Sequence, residues 1–376
     1  MIWNTAKLGD ACFVRRGTTI TKKNAVEGDV PVIGGGTKPT YFHNEPNREA
    51  GCITISGSGA SAGFVNRWDM PIFASDCSTV EPKDEMQLPK FVYYYLLSQQ
   101  QFIYNNFRSG AAQPHVYAKD IETLDFPILQ LAEQERIVAK LDAAFAEIDE
   151  AEKIASSAAD SARQLFKKEL SLIFLASRSG WNNTTIVNCC QLKSGNTINK
   201  ALEKTEGELP YLKVADMNLA SNADGVITSS RFVLKADISD KAIIKKGSVI
   251  FPKRGGAIAT NKKRLTLTDI CADLNIMSVY PKASLIPELL YYFFKNIDMA
   301  MLGSGSSIPQ INNYDIEPLS ISYPIDKSEQ LNLASRLKDL EYESERLAVT
   351  YQCKVAELVK LKSAILAQEL KPSEAA

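Results

Sequence analysis

Histidine is scarce in this chain: only His43 and His115 occur among 376 residues. Chemistry that needs several imidazoles, such as a His-rich metal centre, is excluded by counting. The seven cysteines (Cys12, Cys52, Cys77, Cys189, Cys190, Cys271, Cys353) are odd in number, and none form a Cys-x-x-Cys pair. That excludes zinc-ribbon spacing and reads as reduced thiols. No apolar run approaches the ~18 residues of a membrane span. The opening residues lack a basic stretch followed by an apolar core, so no signal peptide is expected. Charge of one sign is missing too, because 43 Lys plus Arg stand against 44 Asp plus Glu, a formal net charge of −1. A histone-like polycation is thereby excluded, while local basic patches are not. A cytoplasmic chain of two or three domains, without membrane contact, is the expectation.

What is present is an internal repeat. Trp3-Asn4 recurs as Trp181-Asn182 at an offset of 178, and at that offset Gly17-x-Thr19-Ile20-x-Lys22 meets Gly195-x-Thr197-Ile198-x-Lys200. Further along, Pro89-x-x-x-Tyr93-Tyr94 recurs as Pro287-x-x-x-Tyr291-Tyr292, and Ser109-Gly110-x-x-x-Pro114 as Ser304-Gly305-x-x-x-Pro309. Asp120-Ile121 matches Asp315-Ile316, and Glu133-Gln134 matches Glu329-Gln330. The offset drifts between 178 and 199, as it does when duplicated domains carry loops of different length.

Each Glu-Gln pair opens a helical stretch. In the first, Ile137, Leu141, Ala144, Ile148, Ala151, Ala155, Ala158, Ala162 and Leu165 step alternately by 4 and 3. The positions 196 further on are Leu333, Leu337, Leu340, Ser344, Leu347, Tyr351, Lys354, Leu358 and Leu361. This is a heptad seam. A middle rich in alanine, facing leucine and tyrosine, suits two helices packed on each other. The predicted organisation is a first module over 1–130, a long helix over 131–178, a second module over 179–325, a second long helix over 326–371, and a tail over 372–376.

Within the modules, short β-rich runs such as 51–55, 71–73 and 248–251 alternate with one helix each, predicted over 89–102 and 287–294 with proline in the first turn. Glycine-bearing loops fall at 34–36, 57–63, 108–112, 254–256 and 303–307. The fold class is α+β: two tandem modules, each followed by a long helix, with the helices pairing as an antiparallel coiled coil. Loops held on such a frame suit recognition.

No catalytic centre stands out. The stretch 57–63 has the spacing GxGxxxG rather than GxGxxG and no helical pattern after it, and the P-loop pattern is absent. Asp76, Glu81 and Lys83 resemble a nuclease metal core. The aligned positions in the second half are Asn275, Tyr280 and Lys282, which lack the acids, so a structural strand is the better reading.

Basic loops remain. Lys253, Arg254, Lys262, Lys263 and Arg264 lie within 12 residues that contain no acid. Arg15, Arg16, Lys22 and Lys38 form a weaker counterpart in the first module. Such clusters neutralise phosphates and hold a protein in register on a duplex. Ser58 and Ser61 in the glycine loop, Gln113 and His115 after the first Ser-Gly pair, and Gln310 and Asn312 after the second are candidate base-edge readers.

The ordered motifs, repeated twice across nearly the whole chain, resemble the specificity subunit of type I restriction–modification enzymes. The resemblance rests on Gly-x-Thr-Ile-x-Lys, on Ser-Gly…Pro…Asp-Ile, and on Glu-Gln before each long helix. It implies a non-catalytic subunit whose two modules each read one half of a split, asymmetric sequence in double-stranded DNA. It also implies two adenine-methyltransferase subunits as partners and a restriction–translocation subunit beside them. S-adenosylmethionine, ATP and Mg would then belong to those partners, and this chain would hold neither cofactor nor metal. About 40 helical residues at ~1.5 Å each would span ~60 Å between the readers. The seam contacts expected are Ile137, Leu141, Ile148 and Leu165 against Leu333, Leu337, Leu340, Leu347, Leu358 and Leu361. Two other readings compete: a repeated protein-interaction scaffold without sequence readout, and a self-contained nuclease built on Asp76, Glu81 and Lys83.

Overall fold

A computed structural model describes residues 3–110, 112–175, 178–302 and 309–371. The recurring Ser304-Gly305 pair, the rest of the 303–307 loop, Ala111 and the tail beyond 371 lie outside the described residues. The chain divides into two compact units, one made of residues 1–156 with 352–376, the other of 157–351.

The first unit is built on a four-stranded antiparallel sheet in the order Cys12–Arg16, Cys77–Pro82, Ile53–Ser56, Val65–Arg67. All four residues of Ile53–Ser56 are buried, the first three of them β-branched, so this strand is covered on both faces. A three-stranded sheet (Tyr41–His43, Val30–Ile33, Phe73–Ala74) accompanies it, and Asn4–Lys7 pairs with Asp125–Ile128. Proline opens the helix Pro89–Ser98, whose Phe91, Val92, Tyr94, Tyr95 and Leu96 enter the core. The predicted helix 89–102 is broken at Gln99, and a second short helix runs over Gln100–Asn106.

The second unit repeats this plan strand for strand. Its four-stranded sheet has the order Cys190–Ser194, Ile276–Pro281, Val249–Pro252, Arg264–Leu265. The three-stranded sheet is Phe232–Val233, Leu209–Leu212, Cys271–Ala272, and Trp181–Thr185 pairs with Ser320–Pro324. The stretch 65–75, which has no close counterpart in sequence, therefore has one in structure: Arg264–Leu265 stands for Val65–Arg67, and Cys271–Ala272 for Phe73–Ala74.

The glycine of each Gly-x-Thr-Ile motif has a steric cause. A Cβ on Gly17 would run into the Ser75 and Ala74 carbonyls, and one on Gly195 into those of Asp273 and Ala272. In both units this close approach carries hydrogen bonds, Thr18 N to Ala74 O at 2.9 Å and Asn196 N to Ala272 O at 2.8 Å.

The recurring glutamines also have one role. Gln134 and Gln330 are fully buried. Gln134 Oε1 accepts from Leu88 N at 2.9 Å, while its Nε2 donates to Met86 O and Leu129 O. Gln330 Oε1 accepts from Ile286 N at 2.9 Å, and its Nε2 donates to Ser284 O and Pro324 O. Each clamps the first turn of a long helix to the loop before the proline-led helix, satisfying backbone groups that burial would otherwise orphan.

The long helices run over Leu131–Leu175 and Lys327–Glu369. Within the first unit Lys140 pairs with Glu369 at 2.7 Å, Lys362 pairs with Asp149, and Leu366 and Leu370 join the core beside Ile137 and Leu141. Within the second unit Arg163 pairs with Glu345 at 3.0 Å, Ser344 Oγ donates to Ala162 O, and Ala159, Ala162, Ala348 and Tyr351 form one cluster. Early residues of one helix meet late residues of the other, so the pair is antiparallel.

The seam departs from a strict heptad. In the first helix it runs Ile137, Leu141, Ile148, Ala155, then Ala159, Ala162, Phe166, Leu170 and Ile173. Leu165 is 60% exposed beside it. In the second helix Leu333, Leu337 and Ser344 are buried and Leu340 and Leu358 half-buried, but Ala348 takes the place expected for Leu347, and Leu361 is 46% exposed beside half-buried Lys362. An α-helix drifts ~20° per heptad against a 3.5-residue repeat. Steps of 4, 3 and 4 that total eleven, as from Ala155 to Phe166, absorb that drift.

Candidate nucleic-acid interface

At the end of Ile53–Ser56 and of Val249–Pro252, one of the two inner strands in each four-stranded sheet, the chain is tied to a second loop by a pair of backbone hydrogen bonds. In the first unit Gly59 N donates to Pro114 O at 2.9 Å and Val116 N to Gly57 O at 3.0 Å. In the second, Gly255 N donates to Pro309 O at 2.8 Å and Ile311 N to Lys253 O at 2.9 Å. The loop that follows each Ser-Gly motif is thus bridged to the strand end, with Ser58 facing His115 in one unit and Arg254 facing Gln310 in the other. Gly59 and Gly255 both have positive φ, at +80° and +68°, and among the described residues a Cβ on either would meet nothing within 4 Å. The backbone at both bridges is therefore uncrowded by the described residues, in a conformation glycine adopts without strain.

Strand register extends the equivalence. Arg16 pairs with Ser78 as Ser194 pairs with Met277, and Ser56 pairs with Cys77 as Pro252 pairs with Ile276. Five positions follow: Arg16, Gly57, Ser58, Asp76 and His115 in the first unit correspond to Ser194, Lys253, Arg254, Asn275 and Gln310 in the second. The first set carries one cation and one carboxylate. Here Ser58 Oγ donates to Asp76 Oδ2, and His115 stacks over Tyr117 with ring centroids 6.1 Å apart. A recess of about 50 Å³ separates Arg16, Asp76 and His115. The second set carries two cations and no acid. Its Lys253 Nζ donates to Ser194 Oγ at 2.7 Å, and Gln310 Nε2 donates to Asn312 Oδ1 at 2.6 Å.

The basic cluster of the second unit is less exposed than its sequence implies. Lys253 is 9% and Lys263 5% exposed. Lys263 Nζ donates to Ile297 O and Asn261 Oδ1, both at 2.6 Å, and burial pulls its ammonium down to about 8. Burial, with Arg254 alongside, also lowers the Lys253 ammonium. Lys262 is half-buried and bonded to Asn218, and half-buried Arg264 donates to Lys263 O at 3.0 Å. Arg254 is exposed, and among the described residues its guanidinium has no hydrogen-bond or ion-pair partner.

In the first unit Arg16, Lys22, Lys38 and Gln113 are exposed and Ser61 is half-buried. Arg15 is ion-paired to Glu81 at 3.2 Å and lies over the Phe13 ring, so it belongs to a different neighbourhood from Arg16. Asn312 serves the short helix Asn313–Ile316, its backbone N–H donating to Asp315 at 2.7 Å. The acids of the nuclease-like pattern take part in separate networks: Asp76 holds Ser58, while Glu81 sits between Arg15 and Arg48.

Asp76, Asn275 and Ser194 belong to the two sets, although composition and charge runs give no reason to choose them as readers. The offset of 199 aligns Asp76 with Asn275, but only strand pairing places either beside the glycine loop. Among the described residues no group of three or more His, Cys, Asp or Glu could hold a metal, and no helix is long and apolar enough to cross a membrane.

Known structures share this architecture. One chain, from work on complex assembly and conformational transition of the type I R-M system, superposes with a TM-score of 0.76 at 18% identity, over 99% of this chain and 98% of that one. The HsdS subunit from Thermoanaerobacter tengcongensis superposes at 0.57 with 19% identity, over 99% and 97%. No curated protein matches the sequence. The family described as Type I restriction modification DNA specificity domain matches twice, over residues 2–156 and 178–349. With a match to each copy of the repeat, the chain belongs to the family of type I restriction–modification DNA specificity subunits.

Proposed function

We propose that each module reads one half of a bipartite, asymmetric sequence in double-stranded DNA, and that the chain positions two adenine-methyltransferase subunits, and a restriction–translocation subunit where one exists, on that target in the cytoplasm. The chain itself is non-catalytic in this reading. S-adenosylmethionine, ATP and Mg belong to the partners.

The observation that carries the reading is the twice-built bridge. One backbone frame presents Arg16, Ser58, Asp76 and His115 in one module and Ser194, Arg254, Asn275 and Gln310 in the other. Identical frames with different donors and acceptors suit two different base sequences. A scaffold that bound the same partner protein twice would have no need of that difference. The paired helices act as the spacer between half-sites. Because the chain is charge-balanced and two of its clustered lysines are buried, tight binding depends on the methyltransferase partners.

Mapping methylated adenines in cells that express the chain with its modification subunits tests this reading. The expected motif has two unlike halves separated by an unspecified spacer of fixed length. Methylation at a single uninterrupted motif, or none that depends on this chain, would overturn it.

A further inference from the structure

We propose that the position held by Ser58 in the first module and Arg254 in the second is a base-reading position, and that Arg254 takes the O6 and N7 acceptors of a guanine in the half-site of the second module. This rests on the reading of each module as a DNA reader, and it names the residue that reads.

Three observations converge on Arg254. It occupies the bridged strand end, opposite Gln310, in the loop whose glycine apex meets none of the described residues within 4 Å of a Cβ. A backbone so uncrowded can come close to a groove wall, and the residue preceding Gly255 is carried with it. Its neighbours in the cluster are engaged: Lys253 with Ser194, Lys262 with Asn218, Lys263 with Ile297 and Asn261, Arg264 with the Lys263 carbonyl. Arg254 alone of the five has an exposed side chain without a partner among the described residues, so its fork of donors is available. Finally, the acid that the first module places here is absent. Asp76, which accepts the Ser58 hydroxyl, is replaced by Asn275, and no carboxylate in the equivalent set competes for the guanidinium.

A planar guanidinium matches the two major-groove acceptors of guanine and no other base edge as well. The Ser58 hydroxyl, already directed at Asp76, cannot make that fork. The two modules therefore differ at this position in what they can take, although their frames coincide.

The test uses the chain assembled with its modification subunits. First, methylated adenines are mapped for the wild-type, Arg254→Ala and Arg254→Lys complexes. Relaxation at one guanine position, in one half only, with the other half intact, is the expected result for both variants, since lysine keeps the charge but loses the fork. Second, the wild-type motif is made as a duplex carrying 7-deazaguanine at that position, which removes N7. Wild-type binding should weaken about tenfold, while Arg254→Ala should not distinguish the two duplexes. A motif unchanged in both variants, with methylation lowered uniformly, would assign Arg254 to a phosphate and overturn the proposal. So would full discrimination retained by Arg254→Lys. A wild-type complex that yields no bipartite motif would instead overturn the reading of the modules as half-site readers, which is a separate failure. Because Arg254 is exposed, an unchanged unfolding midpoint serves as the control for folding.

Discussion

Lys263 donates through Nζ to the carbonyl oxygen of Ile297 at 2.6 Å, from a residue only 5% exposed. Burial is the main reason its ammonium falls to about 8, with Asp298 pulling the other way. Below that pH both folded and unfolded chains hold the proton, and folding carries the cost of a buried charge. Between about 8 and the ordinary lysine value the unfolded chain binds more protons, so stability rises with pH there. Urea unfolding at a series of pH values should show this rise in the wild type and a smaller one in Lys263→Met. The Lys295 ammonium, also brought down to about 8 by burial and by Arg264 and Lys263, contributes in the same direction in both proteins. Parallel curves for the two would show that Lys263 is not buried as described.

Replacing either buried glutamine by leucine keeps the volume and removes the clamp. Gln134→Leu leaves Leu88 N–H and two carbonyls without partners, and Gln330→Leu does the same at Ile286, Ser284 and Pro324. A loss of ~1–3 kcal/mol in unfolding free energy is expected for each. Denaturant unfolding that shifts by less than the error of the midpoint would mean these groups find other partners.

In the proposed reading the helices set the distance between half-sites. Removing eleven residues from each at facing points preserves the seam, because eleven is the step over which it closes, and shortens the pair by ~16 Å. The spacer between half-sites in the mapped methylation motif should contract while both halves keep their bases. An unaltered spacer would remove the helices from the role of ruler.

Phosphate contacts have their own signature. Lys22, exposed in the first module, is a candidate for one: Lys22→Ala in the assembled complex should lower affinity alike for all sequences and reduce the slope of log affinity against log salt by about one. A titration with unchanged slope would place Lys22 away from the backbone. Lys263→Ala should leave the slope alone, since that ammonium is turned to Ile297 and Asn261.

Much of the frame was readable from the chain because the repeat names the residues that make it. Gly17 and Gly195, Gln134 and Gln330, Pro89 and Pro287 recur for reasons of backbone approach, buried hydrogen bonding and helix initiation, and each reason leaves one residue type little room to change. The interface was less readable. Lys253 and Arg254 are neighbours in a charge run, yet at a strand end successive side chains take opposite sides, so one is buried on Ser194 and the other exposed. Leu165 and Leu361 fit a heptad on paper and stand exposed, because a straight helix does not keep that period.

The lysine that fills the strand end in the second module has no equivalent in the first, where Gly57 stands in its place and Cys12–Arg16, two strands away across Cys77–Pro82, supplies Arg16. The two modules thus bring a long cation to this place from different strands, with a glycine or a serine at the other position. Exchanging one position alone would leave either two cations crowding the gap or a serine beside a glycine and a hole. Grafting a loop from one module onto the other is expected to succeed only when the residue at the end of Cys12–Arg16 or Cys190–Ser194 travels with it.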